Sequence, residues 1–409
     1  MVGHCKMSVV PRPSLVSGPF VAVTAATAAF FVYVGMLIPL LPTFIEDELG
    51  GGELGVGLSL AVFALAAVAA RPLVAVVTQR YGRRLPMVVG ALVAAAAGAA
   101  TGLADSLPVL LALRAVAGVG EAALFVAAAT LVADLAPPTR RAEAASYFSV
   151  AVFAGLGVGP IIGESVVDGG RYELAFLVAA LAAVVAAVLA LAVPSNSTTA
   201  GTTVRRRPRL LHPAALAPGL VLASGIAALA AFLAFLPEHA RAIGLAGSGA
   251  LFLTYSVVCL VLRLAGARLP ELLGARRSVT IALSSTASGL TLLAAVAQPW
   301  ALWVAAVLVG TGQAFLYPSL MATTVDRVDE HDRAVALGSF TMFFDLGTMA
   351  GGLVLGSVAD VFGKRSAFAG GVLVALAGLW LLRTRVAPAT SPQRAITRET
   401  PIFVPVAGD

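Results

Sequence analysis

A chain of 409 residues that is 59% hydrophobic and 12% charged, with mean hydropathy +0.95, is too apolar to present a water-soluble surface. Its formal net charge of +6 falls in clusters that read as topology signals, so no nucleic-acid partner is implied, and its two cysteines, Cys5 and Cys259, provide no disulfide framework. Composition therefore excludes a soluble globular domain and places the chain in lipid.

About 20 apolar residues cross the roughly 30 Å hydrocarbon layer as a helix, and the sequence supplies twelve such runs. A cytoplasmic tail over 1–19 precedes the first, 20–44, which is too long for a cleaved signal and is followed by Glu46, Asp47 and Glu48. The second, 55–79, carries Arg71 and leads into a turn with Arg80, Gly82, Arg83 and Arg84. Runs at 86–104 and 108–133 follow, the latter with Arg114 and Glu121, and then 143–167, whose second half holds Gly155, Gly159, Pro160, Gly163 and Glu164. After 172–194 the composition switches at 195–213 to Ser, Thr and Gly and then Arg, as a hydrated cytoplasmic linker would. The remaining runs are 214–236, 247–270, 278–298, 300–325, 334–360 and 367–387, and a second cytoplasmic tail covers 388–409. Continuous Ala/Leu/Val-rich runs predict helices; strands of a membrane barrel would alternate polar with apolar residues. With alternating spans, the Arg clusters all fall on one side, and the positive-inside rule puts both termini in the cytoplasm of a plasma-membrane protein.

The sequence also repeats at an offset of 192 residues: Arg71 matches Arg263, Gly82 Gly274, Arg84 Arg276, Gly118 Gly310, Gly120 Gly312, Asp134 Asp326, Gly155 Gly347 and Gly159 Gly351. Two equivalent halves, 20–194 and 214–387, with six spans each, enter the membrane in the same direction, which makes them parallel repeats about an axis along the membrane normal. That is a common plan of secondary transporters.

Three local patterns resemble the major facilitator superfamily, specifically its twelve-helix drug:proton antiporter branch. Arg71 to Arg84 is similar to the family's loop signature, with Arg80, Gly82, Arg83 and Arg84 matching. Ala75 stands where the family prefers Gly, and Gln79 where it prefers Asp; the second copy carries Glu271 there. In the family this acid latches against another helix when the outside is open, and an amide would latch with less energy. Arg114, Gly118 and Gly120 fit the second signature. Gly155, Gly159, Pro160 and Gly163 fit the antiporter signature, with Glu164 in place of its final Gly. The resemblance implies two six-helix bundles, export and no cofactor. Physically, the glycines form a ridge without side chains that permits close helix approach, serving packing or gating, and Pro160 is a site for a kink.

Charges inside a bilayer cost at least about 2.5–3.5 kcal/mol each and usually have a task. Arg114 and Glu121 lie seven residues apart and can project into one cavity; Asp345 sits between Phe344 and Leu346 in the eleventh span, and Glu164 is near enough to its span's end to reach water. Glu121, Asp345 and Arg114 are the candidate proton-coupling residues, with a structural ion pair to Arg114, Arg71 or Arg263 as the alternative. Candidate substrate-cavity residues are Phe31, Tyr33, Phe125, Phe232, Tyr255, Gln313, Tyr317 and Phe344, of which Gln313 is the repeat mate of Glu121. Arg71, Arg263 and the signature residues above are candidates for gating.

A carboxylate in a cavity that opens alternately to each face can load a proton on one side and release it on the other. The expected function is proton-driven export of small amphipathic or lipophilic molecules by a monomer. A facilitator or importer of a sugar or organic anion, with Arg114 as anion contact, is the alternative, and a non-transporting membrane sensor a third reading. His4, His212, His239 and His331 fall in tails or loops, and neither a His-Glu-x-x-His metal signature nor a Walker phosphate loop occurs, so catalysis and direct use of ATP are not expected.

Overall fold

The computed structural model describes residues 17–137, 140–167, 170–194, 212–265, 272–328 and 333–386. All twelve expected runs are helices: α1 Gly18–Asp47, α2 Gly52–Tyr81, α3 Arg84–Thr101, α4 Leu107–Leu135, α5 Arg141–Val167, α6 Tyr172–Leu191, α7 Pro213–Ala242, α8 Gly249–Ala265, α9 Ala275–Ala295, α10 Pro299–Val325, α11 Arg333–Phe362 and α12 Lys364–Arg385. Eleven are long and apolar enough to cross a membrane; α8 is apolar but its described part is 17 residues long. Glu271, the linker residues 195–211, the tail residues 1–16 and 388–409, and His331 lie outside the described residues.

Helix starts follow local chemistry. The Ser17 hydroxyl accepts from the Phe20 N–H at 3.4 Å with Pro19 in the first turn, and the His212 imidazole accepts from the Ala214 N–H at 3.2 Å ahead of Pro213. Gly82 and Gly274, repeat mates, take φ of 82° and 80° in the turns before α3 and α9, a region that side chains with a Cβ avoid. The largest departure from the expected boundaries is α7, which continues past 236 through Pro237, Glu238, His239 and Arg241. Loss of apolarity marks where a helix leaves lipid, not where its hydrogen bonds stop. His239 is accordingly not in a loop: it is buried in this extension against Phe368, with ring centroids 5.4 Å apart.

The repeated glycines lie at close helix crossings, and the two halves use them alike. A Cβ on Gly155 would stand 2.6 Å from the Phe31 carbonyl carbon, and one on Gly347 2.5 Å from the Ala223 oxygen. Gly159 and Gly351 likewise meet the Val32 and Ala227 oxygens at 2.5 and 2.7 Å, and Gly120 and Gly312 meet those of Gly90 and Ala282 at 2.6 and 2.7 Å. Each contact joins helices of the same half, α5 to α1 and α11 to α7, or α4 to α3 and α10 to α9. The glycine ridge of α5 is thus a packing surface within its own bundle, where backbone approach gains dispersion contacts that lipid does not offer.

The halves meet along α2 with α11, α5 with α8, and α1 with α7. Outside, Leu73, Leu103, Leu181 and Trp380 are among many exposed apolar side chains, the surface expected against acyl chains. Alternation of the helices gives the bundle a connector end, where residues 194 and 212 lie, and a far end, where α1 stops and α2 starts.

Candidate functional site

A cavity of about 210 Å³ lies between the halves. Its walls are mostly apolar, from Phe31 and Leu37 of α1, Phe63 of α2, Leu229 and Leu233 of α7, and Phe344 of α11. Six polar side chains interrupt them: Tyr33, Ser59, Arg114, Glu121, Asp345 and Thr348. The seven-residue spacing on α4 does bring Arg114 and Glu121 to one cavity.

Asp345 is paired across the molecule. Its Oδ2 lies 2.6 Å from Nε of Arg71, both side chains being largely buried, so α11 of one half is tied to α2 of the other near mid-bundle. Arg71 also acts electrostatically on Glu121, which has no hydrogen bond or ion pair among the described residues. One guanidinium therefore faces two carboxylates.

The second half repeats the arginine without the acids. Arg263, mate of Arg71, crosses from α8 to α5, where it lies over the Phe153 ring at 4.7 Å and donates to the Ser149 hydroxyl at 3.3 Å. It also donates to the Gln313 carbonyl at 3.2 Å. Phe153 is the mate of Asp345, and Gln313 that of Glu121. Symmetry supplies two crossings, and residue identity makes only one of them ionic.

Arg114 has a different setting. It is 7% exposed, its guanidinium lies 4.4 Å from the Phe63 ring centroid, and it has no acid partner among the described residues. The Tyr33 hydroxyl, within its electrostatic reach, is likewise buried with no hydrogen bond.

The remaining cavity candidates are placed elsewhere. Phe125 and Tyr317, themselves repeat mates, pack on Phe148 and Phe340 with centroids 5.5 and 5.4 Å apart. Phe232 packs between Phe252 and Tyr255 at 5.7 and 5.6 Å. Phe232, Tyr255 and Gln313, the last at 5% exposure, are buried in the second half because their helix faces turn toward sister helices, whereas Phe125 and Tyr317 are half-buried beside the site, Phe125 with its ring 5.9 Å from that of Phe31 and Tyr317 within the electrostatic reach of Arg71 and Asp345. Of the eight, Phe31, Tyr33 and Phe344 line the cavity.

At the connector end, Gln79 and Arg80 are exposed, with Arg80 over the Tyr81 ring at 5.4 Å. Arg83 pairs with Asp134 at 3.1 Å and donates to the Thr78 carbonyl at 3.0 Å, contacts internal to the first half. Arg84 is half-buried, and Arg276 donates to the Arg383 carbonyl at 3.3 Å within the second half.

The far end is where polar contacts cross between halves. Asp47 accepts from Arg241 at 3.1 Å and from the Tyr172 hydroxyl at 2.7 Å, while Arg241 also pairs with Glu238. Lys364 lies 2.8 Å from Glu238, 3.1 Å from Glu53 and 3.5 Å from Glu46. Glu164, instead of reaching water, caps α8 of the opposite half: Oε1 accepts from the Ser248 N–H and hydroxyl at 2.6 and 2.7 Å, and Oε2 from the Gly249 N–H at 2.8 Å. On the α2–α11 seam, Gly57 of α2 abuts the backbone of Gly352 and Gly356 of α11. This end of the cavity is shut. The sequence marks Glu46 and Asp47 only as topology signals, and nothing in their spacing reveals Lys364 or Arg241 as partners.

Glu164→Ala is expected to weaken the closure by removing three charge-assisted bonds that form only when it is shut, raising the open population about 10-fold. Distances between spin labels at the far ends of α5 and α8 measure this; an unchanged distribution would show the cap to be incidental.

The sequence model described as Major Facilitator Superfamily matches residues 23–250 and 219–406. An uncharacterised MFS-type transporter of Burkholderia mallei is 25% identical over 373 residues, 88% of this chain and 90% of its own. A Salmonella typhimurium transporter of the same description is 25% identical over 371 residues, 87% and 93% of the two chains. Among solved structures, the nucleoside transporter NupG superposes with TM-score 0.72 at 15% identity, over 89% of this chain and 99% of that one. The human organic anion transporter TETRAN gives 0.64 at 18% identity, over 89% and 99%. With the family's sequence pattern running through both halves and its twelve helices folded around one shared cavity, the chain belongs to the major facilitator superfamily and is a multi-pass secondary transporter of small molecules.

Proposed function

We propose that the protein is a proton-coupled exporter of small amphipathic or lipophilic molecules, with both termini in the cytoplasm and the far end facing outward. The carrying observation is the Arg71–Asp345 pair across the halves with Glu121 as a second acid. Taken as ions, Arg71, Arg114, Glu121 and Asp345 balance; a proton arriving on either acid leaves the cavity with one net positive charge and frees Arg71 from part of its attraction. Loading and release of that proton, as residues 17–194 rock against 212–386, would exchange it for substrate. A charge crossing 100 mV carries about 2.3 kcal/mol, ample to bias such a cycle. The glycine, proline and arginine signatures, in the order found in the antiporter branch, support export over import.

Transport into inverted vesicles under an imposed pH gradient tests the proposal. Uptake is expected to fall at least about 10-fold when the gradient is collapsed, and to lose its gradient dependence in the Glu121→Gln, Asp345→Asn double variant. Uptake indifferent to both treatments would exclude the coupling.

A further inference from the structure

The cavity holds two charged groups that the protein leaves unmatched. Arg114 is buried, stacked on Phe63 and without an acid partner among the described residues, and the unbonded Tyr33 hydroxyl shares its wall. Glu121 has no bonded partner either, because Asp345 takes the close position on Arg71. Burying a guanidinium without a counter-charge is costly, so the cavity wall at Arg114 is a strong place for an anionic group. Two helical turns separate Arg114 from Glu121, a rise of about 10 Å. Between them the wall is apolar, with Phe63 and Phe344 on facing halves.

We propose that the transported molecule is amphoteric: an apolar, ring-sized body with a carboxylate or similar anion on Arg114 and Tyr33 and a protonated amine directed at Glu121. This rests on the export reading and narrows it. The anionic end anchors on groups that keep their charge and hydrogen throughout the cycle. The cationic end competes with the incoming proton for Glu121, so substrate and proton exclude one another there, as exchange requires. A molecule with both charges also leaves the formal balance of the cavity undisturbed, whereas a simple anion or cation would add an uncompensated charge to a low-dielectric space.

Equilibrium binding to the purified full chain in lipid nanodiscs, with three probes of nearly equal size, tests this: 4-(aminomethyl)benzoate, 4-methylbenzoate and 4-methylbenzylamine. The first is expected to bind about 10-fold or more tightly than the other two. Arg114→Gln is expected to weaken the two carboxylates by about 10- to 100-fold and leave the amine unchanged. Tyr33→Phe, which keeps the ring, should give a several-fold loss of the same pattern and guards against misfolding of the arginine variant. Glu121→Gln should remove the advantage of 4-(aminomethyl)benzoate over 4-methylbenzoate.

Equal affinities, a singly charged probe matching the amphoteric one, carboxylate binding indifferent to Arg114→Gln, or no binding of any probe at millimolar concentration would each overturn the assignment. Binding needs no gradient, so failure here leaves the vesicle assay intact, and failure of proton coupling leaves these affinities readable.

Discussion

Arg71→Ala is expected to be among the most damaging single changes to stability, at about 3–5 kcal/mol, because it leaves Asp345 without its counter-charge and Glu121 without its nearest cation in a largely buried place. The loss should appear as thermal inactivation of the detergent-solubilised protein many degrees below that of the parent. Arg71→Met combined with Asp345→Leu removes both members of the pair and replaces polar burial with packing, which by the same reasoning is close to neutral for folding. The double variant should therefore survive heating and still fail to respond to a pH gradient. If it inactivates as early as Arg71→Ala, the ionic explanation is wrong.

The second large effect separates two glycines whose steric situations are alike. Gly155 and Gly57 both face backbone of a neighbouring helix, but Gly155 meets α1 within its own bundle, whereas Gly57 meets α11 of the opposite bundle at the far end. Gly155→Val forces apart helices that stay together throughout transport, so poor folding and little recoverable protein are expected. Gly57→Val obstructs a seam that must part in every cycle. Each bundle should fold normally, with transport reduced at least about 100-fold because the shut state costs a few kcal/mol more. A cysteine at Leu41, on the cavity wall, should become more reactive toward an impermeant thiol reagent applied at the far end in the Gly57 variant. Equal folding defects in the two variants would show that the α2–α11 seam is not a moving one.

The fold was legible because lipid imposes a simple rule on sequence. Twelve apolar runs give twelve helices, and the offset of 192 residues gives the correspondence of crossings, since a glycine with backbone against it tolerates little else. Helix ends were less legible, as α7 shows, because water accepts a polar helix as readily as a polar loop. The spacing on α4 that joins Arg114 to Glu121 was visible, and Arg71 stood among three possible ion-pair partners for the buried acids; the choice of Arg71 for Asp345, 274 positions apart, was not visible, since no periodicity links helices of different halves. Aromatic residues were the weakest guide. Phe232 and Tyr255 look like cavity walls by type, but the face each turns to depends on helix rotation, and both are buried in the second half. Glu164 misled for a related reason: nearness to a helix end implies access to water only when no other helix begins there, and α8 does.

The contrast between the two arginine crossings has a mechanical consequence. A contact of guanidinium with a phenyl face, as at Arg263 and Phe153, is indifferent to acidity and keeps its strength as the ring slides. Under the proposed coupling it serves as an axle, while the Arg71 crossing serves as a catch that a single hydrogen ion can lift. Duplication of an ancestral half would have supplied two like hinges. On the same proposal, the difference between Phe153 and Asp345 leaves one to bear motion and the other to sense fuel, so that a single crossing, and not two, is open to titration.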